Sequence, residues 1–99
     1  MSQIKNNLLF NSNQSKTYSG NKYGFGITFR SINQDFIYPI VCNQKELISR
    51  LEEELYDEYP KYKEFNTYLT CNGIVLKRFK TVEENNIKKG DAIIVNIME

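Results

Sequence analysis

The chain has 99 residues, of which 40% are hydrophobic and 25% are charged, so it has the size and the ordinary composition of one globular domain with a modest core. Thirteen basic and twelve acidic residues leave a net charge of +1, which is too small to attract nucleic acid or an anionic membrane through a long-range field. Nucleic-acid binding is therefore disfavoured, and the basic residues Lys77, Arg78 and Lys80 are interpreted as part of a solvated turn. No window is apolar enough for a membrane span or a secretory signal, which favours the cytoplasm or the nucleus.

Residues that commonly carry catalysis or bind metals are sparse. The chain contains no histidine and only two cysteines, Cys42 and Cys71, so a zinc site cannot be assembled from it. Gly24 and Gly26 lack the third glycine and the following helix of a phosphate-binding loop. We therefore expect no enzymatic activity, no metal, no cofactor and no small-molecule substrate. Both cysteines are interpreted as buried apolar residues, and a disulfide between them stays open as an alternative.

Residues 1–22 are predicted to form a flexible N-terminal extension. Residues 11–22 carry almost only small and amide side chains, which bury too little apolar area to offset an ordering cost of about 1 to 2 kcal/mol per residue. A short apolar cluster with helix-like spacing precedes them and consists of Ile4, Leu8, Leu9 and Phe10. This cluster either belongs to a disordered tail or docks on the domain or on a partner. The domain itself is predicted to span residues 23–99.

The first two elements of the domain are predicted to form a β-hairpin. From residue 23 to residue 30 apolar side chains alternate with others, which is the period-2 pattern of a half-buried strand. A turn cluster at 33–35 separates this strand from a second apolar run at 36–41. Pro39 cannot donate to a ladder, so the second strand is predicted to be an edge strand or to be bulged there. The side on which each of its residues lies stays open.

One amphipathic helix is predicted over residues 44–58. Asn43 with Glu46 three residues later fits a capping box, and Pro60 ends the helix. The apolar stripe of the helix consists of Leu47, Ile48, Leu51 and Leu55. The opposite, mainly acidic face, which includes Glu52 and Glu53, is either a solvated surface or a contact site for a basic partner.

The C-terminal half is predicted to hold a strand at 67–72, a turn at Asn72 and Gly73, a short strand at 74–77, a compact loop at 81–89 and a last strand at 92–98. With the hairpin and the helix before it, this order resembles the ubiquitin-like (β-grasp) family. The resemblance is carried by the positions Gly73, Leu76, Thr81, Val82, Asn86, Ile87, Ile93 and Val95. It implies an α+β fold in which one main helix packs on a mixed sheet of four to five strands.

The same resemblance bears on the role of the protein, and in one feature the sequence departs from the family. Conjugation in the ubiquitin-like family requires a flexible tail that ends in two glycines, whereas this sequence ends at Asn96, Ile97, Met98 and Glu99. We therefore expect the non-conjugating type, a non-catalytic protein–protein interaction module that acts as an adaptor or as a subunit of a larger complex. The alternative is a covalent modifier whose processed C-terminus is not represented in the sequence.

The main recognition surface of that family is an apolar patch on the exposed face of the sheet. Alternation predicts that the inward residues of the two C-terminal long strands are Leu69, Cys71, Ile93, Val95 and Ile97. The two sheet positions of the family patch are taken by the polar residues Thr70 and Asn96. Proteins that recognise the apolar patch of ubiquitin are therefore expected to bind this domain poorly. A differently shaped partner site is predicted on this outward face, made of Tyr68, Thr70, Ile74, Ile94, Asn96 and Met98.

Overall fold

A computed structural model describes residues 24–98, which form a mixed five-stranded sheet with one main helix. The strands are β1 (Gly24–Ser31), β2 (Ile37–Asn43), β3 (Thr67–Cys71), β4 (Ile74–Val75) and β5 (Ala92–Ile97). The helix is α1 (Ile48–Glu58), and a 3₁₀ helix follows it at Pro60–Glu64. The predicted extension at residues 1–22, with its apolar cluster, lies outside the described residues.

The strand order in the sheet is β2-β1-β5-β3-β4. The neighbouring strands β1 and β5 run parallel, and the other three neighbouring pairs are antiparallel. After the hairpin the chain crosses the sheet through α1 to β3. The last strand, β5, then lies between β3 and β1, antiparallel to β3 and parallel to β1. The expected α+β arrangement of one helix on a mixed sheet is confirmed.

Strand β2 lies at the edge of the sheet, as Pro39 predicts. Thr28, the partner of Pro39, donates its backbone N–H to Asp91 O at 3.0 Å on the β5 side. Thr28 and Pro39 are therefore a non-hydrogen-bonded pair of the antiparallel ladder, in which the backbone N of each residue points away from the other strand. The backbone N of Pro39 faces the free edge, so its missing N–H breaks no hydrogen bond of the ladder. The register also decides the faces of β2, because Ile37 and Val41 point outward and are 59% and 61% exposed.

The core lies between the inner face of the sheet and α1. Three members of the predicted helix stripe, Ile48, Leu51 and Leu55, are fully buried. Their largest buried counterparts from the sheet are Ile27, Phe29, Leu69, Ile93 and Val95. Because the helix stripe and the inward strand positions meet as one cluster, hydrophobic burial holds the two layers together.

Helix α1 begins four residues later than the predicted position 44. Asn43 and Glu46 do form the expected reciprocal bonds, since Lys45 N–H donates to Asn43 Oδ1 at 2.9 Å and Asn43 N–H donates to Glu46 Oε1 at 2.8 Å. These bonds enclose a turn that precedes the helix rather than its first helical turn. Leu47 lies between this turn and the helix, and at 44% exposed it is not a core residue.

The loop between β4 and β5 is the reason for the late start. Four backbone hydrogen bonds of 2.8 to 3.0 Å join the loop to residues 44–49. From the loop, the N–H groups of Val82 and Glu83 donate to Glu46 O and Gln44 O. In the other direction, the N–H groups of Ile48 and Ser49 donate to Lys80 O and Arg78 O. Backbone groups that a longer helix would pair locally are thus paired with distant residues, and two orphan N–H groups of α1 are satisfied there. Helix-capping rules consider only residues close to the helix start in sequence, so they do not predict a partner in this loop.

A buried carboxylate ties α1 to the same loop. Glu52 is 5% exposed, and Arg78 Nε and Nη2 donate to its two oxygens at 2.7 Å each. The Tyr56 hydroxyl donates to Glu52 Oε2 at 2.6 Å, and Arg78 Nη1 donates to Thr67 O at 3.1 Å. The interpretation of Glu52 as part of a solvated face and of Arg78 as part of a solvated turn was wrong. The two residues join α1, the loop and the start of β3.

Both cysteines are free and buried. Cys42 lies on β2 and Cys71 on β3, which are separated by β1 and β5. Three strand spacings amount to about 14 Å, well beyond the roughly 7 Å that a disulfide can bridge between Cα atoms. The disulfide alternative is therefore excluded, and the interpretation of both residues as buried apolar side chains is confirmed.

Burial also makes the two thiols resistant to ionisation. Desolvation, with a smaller contribution from the Glu46 charge, raises the pKa of Cys42 from 9.0 to about 12. Desolvation, with the nearby Asp91, raises the pKa of Cys71 to about 11. Because the thiolate is the reactive form, both thiols should be inert at neutral pH while the protein is folded.

We expect a disulfide reagent at pH 8 to label the folded protein at least about tenfold more slowly than the urea-unfolded protein, which should release two equivalents. Between pH 9 and about 11 the unfolded chain binds fewer thiol protons than the folded one, so the thiols should lower the free energy of unfolding as pH rises in this window. Below pH 9 both states are protonated and this effect disappears. Fast labelling of the folded protein would contradict the burial of the thiols.

Candidate functional site

Four of the predicted site residues lie together on the outer face of β3 and β5. The antiparallel register places Tyr68 opposite Asn96 and Thr70 opposite Ile94. Side chains in such directly opposed positions have Cβ atoms about 4.5 to 5.5 Å apart, so the four residues form two adjacent cross-strand pairs. Tyr68 is 38% exposed, and Ile94 and Thr70 are partly exposed.

The other two predicted residues lie at the margins of these pairs. Met98 follows β5, where its N–H donates to Asn66 O at 2.8 Å, and its side chain is 52% exposed. Ile74 is on β4 and is 68% exposed. It pairs with the inward residue Cys71, so its predicted place on the outer face was wrong. The next residue, Val75, was not predicted; it pairs with Thr70 and is 61% exposed. The apolar part of the outer face therefore continues to the β4 edge.

Asn96 points to the predicted side but is closed to a partner. It is only 8% exposed, because its amide Nδ2 donates to Thr70 Oγ1 and to the backbone oxygens of Tyr68 and Ile94 at 3.2 to 3.3 Å. The donors of this side chain are used within the sheet. Asn96 thus holds β3 and β5 together from the outside, which alternation alone does not reveal.

Ile97 departs from the predicted inward set. It pairs with Thr67 at the end of the β3–β5 ladder and is 42% exposed. The parallel ladder between β1 and β5 ends with the pair Ser31 and Val95. Beyond Val95, β5 has no neighbour on the β1 side, so an inward side chain at position 97 lacks the packing that buries Val95.

The outer face also includes β1 and β2, which sequence reasoning did not assign to the site. Arg30 on β1 lies between Ile37 of β2 and Ile94 of β5. One row therefore crosses all five strands, here called the outer row: Ile37, Arg30, Ile94, Thr70 and Val75. The alternation of Ile37, Pro39 and Val41 is the signal that identifies the β2 part of this face.

A cleft of about 400 Å³ opens where α1, the 3₁₀ helix and the start of β3 meet. Its lining is Glu52, Tyr56, Tyr62, Lys63, Phe65, Asn66, Thr67, Arg78 and Met98. The charged groups at its base are already committed to each other, since Arg78 pairs with Glu52 at 2.7 Å and Lys63 pairs with Asp57 at 3.4 Å. Burial and the hydrogen bond with Glu52 raise the pKa of Tyr56 to about 12. The cleft thus presents no group poised as a general acid or base at neutral pH.

Metal binding and membrane insertion can be judged for residues 24–98. In this part of the chain no group of three or more His, Cys, Asp or Glu side chains is arranged to hold a metal ion. Within the same residues no helix has the length and the apolar content to cross a membrane.

The sheet order and the helix position can be compared with those of solved proteins. A de novo protein designed on the basis of ubiquitin superposes on this chain with a TM-score of 0.67 at 21% sequence identity, over 78% of this chain and 92% of the design. The fold is ubiquitin-like. At this identity the similarity concerns the fold alone, because one fold hosts many functions. No protein-family model matches the chain, and no curated protein matches it in sequence.

Proposed function

We propose that this ubiquitin-like chain is a non-catalytic protein–protein interaction module that acts as an adaptor or as a subunit of a larger complex. The supporting observation is the gathering of exposed apolar side chains on the outer face, where Val75 and Met98 are each more than half exposed and adjoin Tyr68 and Ile94. Exposed apolar residues gathered on one face typically mark a partner site. The module would bind other proteins in the cytoplasm or the nucleus, rather than nucleic acid, a membrane or a small molecule.

The non-catalytic part of this proposal is supported by the state of the reactive groups. Glu52 is buried in an ion pair with Arg78, and burial raises the pKa of the Cys42 and Cys71 thiols to about 12 and about 11. A general base must be free to take a proton and a nucleophilic thiol must ionise. The Glu52 carboxylate is already engaged by Arg78, and the two thiols stay protonated at neutral pH.

The partner site can be tested by site-specific crosslinking in a native extract. A photoreactive phenylalanine analogue at position 68 should give adducts with a second protein. Because a carboxylate in the centre of the contact would be desolvated without a partner, Ile94→Asp should weaken binding at least about tenfold and remove these adducts. Thermal denaturation of the variant would show that it still folds.

The matched control carries the same photoreactive residue at position 53 on α1, where the Glu53 side chain is 71% exposed. This position should not give the adducts seen from position 68. Adducts that form only from position 53, or that persist in the Ile94→Asp variant, would contradict the outer face and point to the acidic helix instead.

A further inference from the structure

One cation of the outer row, the Arg30 side chain, is unpaired among the residues that the structure describes. Arg30 is on β1, between the edge strand β2 and the central strand β5, and is half-buried. Among residues 24–98 its side chain has no hydrogen bond, ion pair or ring contact. Its cross-strand neighbours on the two sides are Ile37 and Ile94, so an apolar side chain flanks the guanidinium group on each side.

The outer face offers no acceptor of opposite charge to this cation. Apart from Arg30, the outward positions of all five strands hold only uncharged residues, so within residues 24–98 no strand brings a carboxylate to this face. A guanidinium that is covered without an acceptor pays a desolvation penalty. A surface that covers the outer row must therefore bring its own acceptor to Arg30.

We propose that the outer row binds a segment of another protein that carries an Asp or Glu side chain between apolar side chains, with its carboxylate paired to Arg30. This inference rests on the proposed function and specifies the chemistry of its partner. The guanidinium matches a carboxylate with two parallel, charge-assisted hydrogen bonds. The apolar side chains of the segment cover Ile37 on one side and Ile94 on the other, which excludes water from the ion pair.

Charge also argues against the two occupants that the chain itself can supply. Residues 1–22 contain three lysines and no acidic residue, so this segment cannot provide a carboxylate to Arg30. A second copy bound symmetrically, outer face to outer face, opposes the row with the same acid-free surface and a second Arg30. In both cases the guanidinium is covered without a partner of opposite charge.

The test is the selection of a random peptide library displayed on phage against the full chain. Peptides that compete with one another and lose binding to the Ile94→Asp variant should share an Asp or Glu flanked by apolar residues. For one such peptide, the Asp→Asn or Glu→Gln change and Arg30→Gln in the protein should each weaken binding about tenfold, and the two changes together should cost little more than one. Selection against the Arg30→Glu variant should instead enrich Lys or Arg at the same position.

The outcomes separate this inference from the proposed function. Peptides that depend on Ile94 but show no acidic preference and ignore Arg30→Gln would overturn the acidic partner and leave the interaction module standing. Failure to select any peptide that depends on Ile94 would count against the outer face as a partner site altogether. Self-association of the full chain that is lost in the Arg30→Gln variant, measured by sedimentation equilibrium, would make a second copy the occupant and overturn the inference. Tighter peptide binding after deletion of residues 1–22 would show that this segment covers the outer row in the full chain, and it would also overturn the inference.

Discussion

Replacing Arg78 with alanine is expected to lower the free energy of unfolding by about 3 to 5 kcal/mol. The change removes both donors that hold the two oxygens of Glu52 and leaves a carboxylate buried with only the Tyr56 hydroxyl. It also removes the hydrogen bond to Thr67 O that fixes the start of β3. Urea denaturation of the two proteins, followed by circular dichroism, measures the difference.

The exposed pair of Arg50 and Glu53 supplies a matched control. Their side chains are 64% and 71% exposed and 3.5 Å apart, so Arg50→Ala should change the free energy of unfolding by less than about 1 kcal/mol. Replacing both Glu52 and Arg78 with leucine should recover part of the loss, because no unpaired charge is then buried. An Arg78→Ala variant as stable as Arg50→Ala would show that the Glu52 carboxylate is not buried as described.

Replacing Phe29 with alanine is expected to cost about 3 to 5 kcal/mol of unfolding free energy. Phe29 is on the interior strand β1, is fully buried and is the largest fully buried side chain of the described residues. Its removal takes the apolar ring from the core and leaves a cavity under α1 that the surrounding strands cannot fill. Since domains of this size are stable by only about 5 to 15 kcal/mol, the variant should unfold at a much lower urea concentration.

The chain offers a second phenylalanine as the control for this prediction. Phe79, in the loop between β4 and β5, is 77% exposed, so Phe79→Ala should leave the free energy of unfolding within about 0.5 kcal/mol of the original. Equal losses from the two substitutions would contradict the assignment of Phe29 to the core.

Several features of the fold were predictable because they depend on local sequence pattern. The alternation at Leu69, Ile93 and Val95 predicts which face of β3 and β5 is buried, since one face of a half-buried strand must be apolar. Pro39 predicts the edge position of β2, because a residue without an N–H cannot serve a central ladder. The resemblance to the ubiquitin-like family rests on positions of this kind.

The candidate site was only partly predictable for the opposite reason. Alternation identifies Tyr68 and Ile94 as outward residues, but it contains no information on which side chains neighbouring strands bring beside them. The register of β1 against β2 and β5 places Arg30 between Ile37 and Ile94, and no local pattern connects these three positions.

By itself the sequence determined the inward positions Leu69, Ile93 and Val95 of β3 and β5 and the buried side of α1 at Ile48, Leu51 and Leu55, since each follows from the periodic burial of one side of an element. Only the tertiary structure decided where α1 begins, that Glu52 is buried against Arg78 and that Asn96 is closed to a partner. In each case the deciding hydrogen bonds join residues more than twenty positions apart. Such bonds exist only after the sheet and the loop have brought their partners together.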